Sequence, residues 1–261
     1  MSLKEMKKYE LSFQKNIRDL GGLVGLNGRK IKYGRLYRGG ALHHVNEEDV
    51  EIINSLHLTD VIDFRADDEF VHRPDYPFEG VTFHNFPVMR KKMNQEAQKH
   101  DDGNLLWFIE GNKSGFDHLR LTYVEMVDDP AGQEAYRRFF ELLCQDHKVF
   151  YFHCSQGKDR AGLAAYLIET ILGVDEKTKR EDYLLSNEAM VSRADILISS
   201  VENKLFFTPE YRQSLIDVFS ARIEYLDEAL KVIDEKYGGI DNYIENILHV
   251  DVKRMRGLYL D

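Results

Sequence analysis

The fold of this chain is decided by the stretch His153-Cys154-Ser155-Gln156-Gly157-Lys158-Asp159-Arg160. The preceding residues 148–152 are mostly apolar and aromatic, which is typical of a buried strand, and residues 161–172 carry alanine and leucine at helical spacing. A strand, a short polar loop and a helix in direct succession are a building unit of α/β proteins. The stretch therefore predicts an α/β fold in which this loop joins a central strand to the next helix.

The rest of the chain extends this unit on both sides. On the amino-terminal side, β-rich runs at 36–42, 59–65 and 81–86 predict strands, and Asn46 is typical of a helix N-cap. Beyond Gly173, apolar residues recur at helical spacing, which predicts helices over 177–185, 189–203, 211–237 and 240–248. We expect one domain over residues 1–261, with a small central sheet flanked by helices. Its helical carboxyl-terminal part begins at about residue 174, and an insertion or lid lies at about 90–115.

The composition restricts the class of protein and its partners. With 35 basic and 45 acidic side chains the formal charge is −10, which disfavours nucleic acid as a partner. No run reaches the roughly 18 apolar residues of a transmembrane segment, and no apolar stretch follows the first lysines as it would in a signal peptide. We expect a cytoplasmic protein, or a secreted one if a leader has been removed. The oligomeric state is left open.

The loop has the features of an anion-binding site. Backbone N–H groups at the start of a helix bind anions, and Gly157 allows a turn that a side chain would obstruct. Arg160 can offer a planar fork to two phosphate oxygens, and Lys158 is expected to add positive charge at the rim. The predicted phosphate-binding residues are Ser155, Gln156, Gly157, Lys158, Asp159 and Arg160.

Cys154 is the candidate nucleophile of this loop. Helix N–H groups and nearby cations favour the thiolate, which is the reactive form. Attack on phosphorus would give a cysteinyl-phosphate that water then cleaves, with no metal and no cofactor required. The structural alternative, a buried cysteine next to a strand, suits Cys144 better, because the loop around Cys154 is polar. The adjacent His43 and His44 are interpreted as a solvated turn rather than as metal ligands.

These residues resemble a known family. The pattern His153-Cys154-x-x-Gly157-Lys158-Asp159-Arg160-x-Gly162 is similar to the signature loop of the cysteine-dependent protein tyrosine phosphatases. Its Gly-Lys-Asp-Arg form looks like that of the atypical bacterial tyrosine, dual-specificity and lipid phosphatase group. Upstream blocks at residues 16–22, 36–40 and 61–65 are similar to that group in the same order, and Glu69 and Arg73-Pro74-Asp75 continue the third block. The resemblance implies the cysteine-phosphatase fold, with Cys154 as nucleophile and Arg160 as phosphate clamp.

The residue that protonates the leaving group has three candidates. In the bacterial group the loop aspartate is thought to serve, which implies Asp159; its structural alternative is to cap the following helix. Asp63, at the end of a predicted strand, is the second candidate, unless it pairs with a basic neighbour such as Arg65. Asp128 and Asp129 are third, with an ordinary turn as their alternative.

Two further features bear on the chemistry. Arg38 and Arg65 lie in the upstream blocks, where each either pairs with a carboxylate or reaches the substrate. Ala161 stands where many family members have Ser or Thr, whose hydroxyl stabilises the departing thiolate. One charge-assisted hydrogen bond is worth about 1.5–3 kcal/mol, so we expect slower hydrolysis of the phosphoenzyme.

The resemblance implies a phosphatase that acts on phosphotyrosine and also on phosphoserine or phosphothreonine. An alternative is a phosphoinositide or inositol phosphate phosphatase, because a lysine inside the loop, here Lys158, is associated with broader or lipid-directed members. A further alternative is a pseudophosphatase that binds phosphorylated partners without turnover. The expected partner is therefore a phosphorylated protein or a phosphoinositide.

Overall fold

The computed structural model describes residues 6–14, 16–89, 114–202 and 207–261, and only the backbone at 191–194 and 201. The strands in this part of the chain are β1 (Lys8–Tyr9), β2 (Ile17–Asp19), β3 (Leu36–Gly40), β4 (Asp60–Asp63), β5 (Thr82–Asn85) and β6 (Phe150–Cys154). They form one mixed sheet with the order β1-β2-β3-β6-β4-β5. Strands β3, β6, β4 and β5 are parallel, whereas β1 and β2 run antiparallel at one edge.

Strand β6 lies between β3 and β4 and is buried along its whole length. Its aromatic residues Phe150, Tyr151 and Phe152 fit a strand covered on both faces, which reads as a continuous apolar run. The register places Gly40 opposite Cys154 and Asp63 opposite His153. The carboxyl ends of the parallel strands therefore meet at one edge, where α/β sheets bind their ligands.

Helices cover both faces of the sheet. Their bounds are α1 (Glu47–Asn54), α2 (Asp67–His72), α3 (Gly115–Asp128), α4 (Pro130–Leu143), α5 (Arg160–Ile171), α6 (Glu176–Val201), α7 (Pro209–Phe219), α8 (Ile223–Tyr237), α9 (Ile240–Asn242) with a π-helical turn (Tyr243–Ile247), and α10 (Val252–Tyr259). One face of the sheet carries the larger core, to which α3, α4, α5 and the later helices contribute, and the other packs on α1 around Ile53, Val61 and Tyr151. Helix α5, which follows the loop, is buried nearly all round because it lies inside the larger core.

The predicted fold class, a small central sheet flanked by helices with a helical carboxyl-terminal part, is confirmed. The predicted insertion or lid lies at 90–115, and its residues 90–113 are outside the described residues. None of the helices in the described ranges is both long and apolar enough to cross a lipid bilayer.

The helix boundaries in the carboxyl-terminal part differ from the prediction. The helices predicted at 177–185 and 189–203 are one helix, α6, while the helix predicted over 211–237 is broken into α7 and α8. The break forms because the Asn187 side chain of α6 accepts from Ala221 N at 2.7 Å and donates to Ala221 O at 2.9 Å. A long-range side chain thus satisfies backbone groups that would otherwise continue the helix.

Candidate active site

The loop between β6 and α5 is held in a tight turn against β3. Gly157 has a φ of +71°, which favours glycine, and a Cβ there would lie 2.3 Å from the carbonyl carbon and oxygen of Gly39. A Cβ at Gly39 would in turn lie 2.2 Å from the Tyr151 hydroxyl, which donates to Gly40 O at 2.6 Å. The glycines of two separate sequence blocks therefore allow the loop and β3 to approach each other.

Three successive carbonyl groups of the loop point to the same side, which we call its outer side. Ala41 N donates to Ser155 O at 3.3 Å, the Asn16 amide to Gln156 O at 2.9 Å, and Arg38 Nη2 to Gly157 O at 2.9 Å. In a trans peptide the C=O and the next N–H point in opposite directions. The N–H groups of residues 156–158 are therefore turned toward the inner side of the loop, and successive N–H groups arranged in this way form an anion-binding concavity.

A buried ionic cluster supports the outer side. Asp182 accepts from Arg18 Nε at 2.7 Å and from Arg38 Nη1 at 2.6 Å, and Arg18 also donates to Asn16 Oδ1 at 2.7 Å. Burial, together with the charge of Asp182, raises the pKa of Glu169 well above its usual range. The cluster places two guanidinium groups behind the loop.

Arg160, the first residue of α5, is held by two polar groups. Its Nη1 donates to Glu69 Oε2 at 2.9 Å and its Nη2 to the Ser155 hydroxyl at 3.0 Å, while that hydroxyl donates to Glu69 Oε1 at 2.7 Å. Burial opposes the charge, but Glu69 and then Cys154 outweigh it, so the pKa of Arg160 is raised. Among the described residues Nε of Arg160 donates to no acceptor. That edge of the guanidinium remains available to a ligand.

Cys154 ends β6 beneath the loop and is 3% exposed. The preceding His153 is fully buried, with Nε2 2.9 Å from Asp75 Oδ2 and Nδ1 3.2 Å from Cys154 O. Burial lowers the pKa of His153, but the carboxylates of Asp75 and Asp63 outweigh it and raise this pKa. Burial opposes ionisation of Asp75 as well, and the charges of His153 and Arg65 lower its pKa to about 2. The two groups therefore lie at ion-pair distance inside the core, where each favours the charged form of the other.

Asp63, the second candidate acid, lies in this same buried cluster. Both of its carboxylate oxygens accept from Arg65, at distances from 2.7 to 3.0 Å. Asp63, Asp75 and His153 bring ligand-type atoms within 4.8 Å of one another, but Arg65 Nη2 lies 2.7 Å from Asp63 and 3.2 Å from Asp75. An arginine thus balances the charge of these carboxylates. The structure gives Asp63 and Arg65 the ion pair that the sequence analysis named as their alternative.

Asp159, the first candidate acid, stands at the N-cap position of α5. Its side chain accepts from none of the described N–H groups of that helix, so the capping role is not observed. Instead Oδ1 accepts from the Tyr123 hydroxyl at 2.9 Å and lies 3.0 Å from Lys158 Nζ. The side chain is 23% exposed, in contrast to the buried Asp63. Asp159 is therefore oriented by side chains and reaches solvent beside the loop.

Lys158 differs in position from the expectation of a charged rim. Its side chain is 2% exposed, and Nζ donates to Val218 O at 2.7 Å and to Ser220 O at 3.0 Å. These carbonyls end α7, where the helix dipole favours a cation. The contact is 60 residues distant in sequence, which is why the loop pattern did not predict it. Lys158 ties the loop to the carboxyl-terminal helices.

Known proteins that are similar to this chain match it along nearly its whole length. A protein of Cupriavidus necator with a provisional tyrosine-protein phosphatase name is 32% identical over 259 residues, which cover 97% of this chain and 89% of the relative. The triple specificity protein phosphatase PtpB of Mycobacterium tuberculosis is 27% identical, over 88% of this chain and 92% of the relative. The family model described as the tyrosine phosphatase family matches residues 9–261.

The chain belongs to the tyrosine phosphatase family. It is accordingly an enzyme of the phosphatase class, and its substrate is a phosphorylated molecule. The match includes the carboxyl-terminal helices, which lie beyond the loop and the upstream blocks that resemble the family in sequence.

In this tyrosine phosphatase family member, the sequence-predicted residues fall into two groups. Ser155, Asp159 and Arg160 lie around Cys154 at the carboxyl end of β6, whereas Asp63 is buried and paired with Arg65. Sequence reasoning missed the roles of two residues, Glu69 and Tyr123. Glu69 had a signal, since it lies in a matched upstream block, but Tyr123 had none because helix α3 carries no recognisable motif.

Proposed function

We propose that this protein hydrolyses phosphotyrosine, and also phosphoserine or phosphothreonine, through a cysteinyl-phosphate formed on Cys154. The observation that carries the proposal is the loop itself: three successive carbonyls at residues 155–157 are bonded outward, around a cysteine at the end of the central strand. The N–H groups on the inner side and the Nε edge of Arg160 can bind the three non-bridging phosphate oxygens.

The first chemical step forms the S–P bond and breaks the P–O bond of the ester. The Cys154 thiolate attacks in line, and Asp159 gives its proton to the departing oxygen, so that a neutral alcohol or phenol leaves. In the second step water attacks phosphorus, Asp159 accepts a proton from that water, and the S–P bond breaks to return the thiolate. Loop N–H groups and Arg160 stabilise the negative charge on the phosphoryl oxygens in both transition states.

The position of Lys158 favours protein substrates over lipid substrates. The alternative of a phosphoinositide substrate depended on Lys158, whose ammonium is bonded to Val218 and Ser220 rather than presented at the surface. The mycobacterial relative is named a triple specificity phosphatase, which supports a range of substrates broader than phosphotyrosine. We therefore propose broad action on phosphorylated proteins.

We propose further that residues 1–261 act as one phosphatase domain. The larger core cluster includes Met6 near the amino terminus, Phe152 of the central strand and Tyr259 near the carboxyl terminus. The last residues also pair with the segment between β2 and β3, where Lys32 N donates to Tyr259 O at 2.8 Å. A division of the chain behind α5 would expose this shared core.

The test is hydrolysis of para-nitrophenyl phosphate with excess chelator by the wild type, Cys154→Ser and the matched control Cys144→Ser. We expect chelator-resistant activity in the wild type and the control, and none in Cys154→Ser. A wild type that binds phosphate without turnover would contradict the proposal and favour a phosphate-binding pseudophosphatase.

The substrate class is tested next, with a phosphotyrosine peptide and a phosphoinositide in short-chain form. We expect a higher kcat/KM on the peptide. A higher kcat/KM on the phosphoinositide would instead indicate a lipid substrate, and would leave the proposed cysteine mechanism unchanged.

A further inference from the structure

A pair of buried tyrosines lies beside Asp159. The Tyr123 hydroxyl of α3 is 2.9 Å from Asp159 Oδ1 and 2.7 Å from the Tyr183 hydroxyl of α6. Tyr123 is 0% exposed and Tyr183 is 1% exposed. Buried hydroxyl groups need hydrogen-bond partners. The direction of each hydrogen bond in this chain therefore has to be assigned.

The hydrogen count assigns the direction of these bonds. A phenol has one proton, and an ionised carboxylate can only accept. Tyr123 therefore donates to Asp159. Tyr183 has one proton and two acceptors, the Tyr123 oxygen at 2.7 Å and Arg222 O at 3.3 Å, and since the Tyr123 proton is used on Asp159, the shorter bond is donated by Tyr183. Burial, followed by the charge of Asp159, raises the pKa of Tyr123 well above its usual range, so the donor keeps its proton in working conditions.

Both neighbours act on the same oxygen of Asp159. Oδ1 accepts from Tyr123 and lies 3.0 Å from Lys158 Nζ, whereas Oδ2 accepts from none of the described residues. A proton on Oδ1 would reverse both hydroxyl bonds, so that Tyr183 donates over the longer 3.3 Å contact to Arg222 O, and it would lie 3.0 Å from the Lys158 ammonium. The proton that the acid transfers therefore belongs on Oδ2.

From this geometry we infer that Tyr123, supported by Tyr183, is a positioning residue of the reaction: it holds Oδ1 of Asp159 so that Oδ2 carries the catalytic proton. The inference rests on the proposed function and adds a residue that touches neither substrate nor phosphate. In the step itself the proton on Oδ2 moves to the leaving oxygen as the P–O bond breaks, and the tyrosine protons stay in place. After water attacks the phosphoenzyme, Oδ2 takes a proton back.

A general acid matters in proportion to the need of the leaving group for a proton. We therefore expect Tyr123→Phe to lower kcat/KM on phenyl phosphate about tenfold, a fraction of the 10²–10⁴ that general acid–base catalysis supplies. On 2,4-dinitrophenyl phosphate, whose leaving group departs unprotonated, we expect less than about a twofold change in kcat/KM on the same ground. The measurement is the dependence of kcat/KM on the leaving group across a series of aryl phosphates, because kcat/KM reports the step in which the leaving group departs.

Two comparisons separate positioning from damage to the core. Tyr259→Phe is the matched control, since this tyrosine is also 0% exposed and donates one hydrogen bond, to Leu143 O at 2.7 Å. It should leave the leaving-group dependence unchanged. In an Asp159→Asn background, where no acid remains to be positioned, Tyr123→Phe should cause no further leaving-group-dependent loss.

Three results would overturn the inference: a Tyr123→Phe enzyme with the wild-type leaving-group dependence, an equal loss on every aryl phosphate, or the same selective loss in the Asp159→Asn background. Each of these requires an active wild type, so each is distinct from a failure of the proposed function. A wild type inactive on the whole series would overturn both.

Discussion

Two arginines contact the phosphate-binding loop, and their surroundings differ. Arg38 is 0% exposed and is bonded to Asp182 and to Gly157 O on the outer side. Arg160 is 15% exposed, and its bonds to Glu69 and Ser155 leave the Nε edge for a ligand. Both lie in motifs that resemble the same family. The comparison shows that a motif arginine can either build the loop or bind through it, and that the burial and the partners of each decide which.

The outer arginine should matter for stability. We expect Arg38→Met to lower the free energy of unfolding by about 3–5 kcal/mol, because Asp182 would lose one buried partner and Gly157 O its donor. Urea denaturation followed by circular dichroism measures this. A stable variant with a raised KM would mean instead that Arg38 acts on the substrate, and would break the comparison.

The inner arginine should matter for rate. Arg160→Lys removes the planar fork, and we expect kcat to fall by about 10²–10³, the usual cost of losing a donor to the transition-state charge. The unfolding free energy should change by less than about 1 kcal/mol, since lysine keeps the positive charge opposite Glu69. Arg137→Lys, a change at a surface pair with Glu134, is the control and should leave kcat unchanged. A normal kcat with reduced stability would indicate that Arg160 stabilises the fold and does not act in catalysis.

Lys158 sharpens the same distinction within the loop. We expect Lys158→Met to cost about 2 kcal/mol of unfolding free energy, the worth of a charge-assisted bond, because the Val218 and Ser220 carbonyls lose their donor. Lys177→Met, at an 84% exposed side chain, should cost nearly nothing. Unchanged stability together with weaker phosphate binding would indicate instead that Lys158 binds the substrate.

The smallest expected effect is the pH dependence of the His153–Asp75 pair. The folded-state pKa of His153 is raised, so its contribution is complete below the ordinary pKa of about 6.5 and is lost as pH rises through the folded value. Wild-type stability should therefore decline from pH 6 toward alkaline pH more than that of His153→Asn. His147→Asn, at a 94% exposed ring, should retain the wild-type profile. An identical decline in His153→Asn would refute the charged pair.

The order of the elements and the place of the loop could be predicted because they depend on local signals. The apolar run of residues 148–152, the turn glycine and the alanine-rich helix specify β6, the loop and α5 from adjacent residues alone. Cys154 and Arg160 could be predicted as site residues because they lie within this same stretch of adjacent residues. Their catalytic roles stay a prediction until they are tested.

The orientation of the charged side chains could not be predicted, because it depends on contacts distant in sequence. Lys158 is bonded to carbonyls 60 residues away, and Tyr123 meets Asp159 across 36 residues. The break between α7 and α8 likewise depends on Asn187, 34 residues from Ala221. A pattern within one window carries no information on such pairs.

The central claim is that Cys154 carries the phosphoryl group during turnover. The direct measurement is rapid denaturing quench of the enzyme during hydrolysis of an aryl phosphate, followed by mass spectrometry of the peptide that contains Cys154. We predict a mass gain of one phosphoryl group on that cysteine, formed in a burst, and accumulated because Ala161 offers no hydroxyl to the departing thiolate. Turnover with no burst and no phosphoryl group on Cys154 at any quench time would contradict the account.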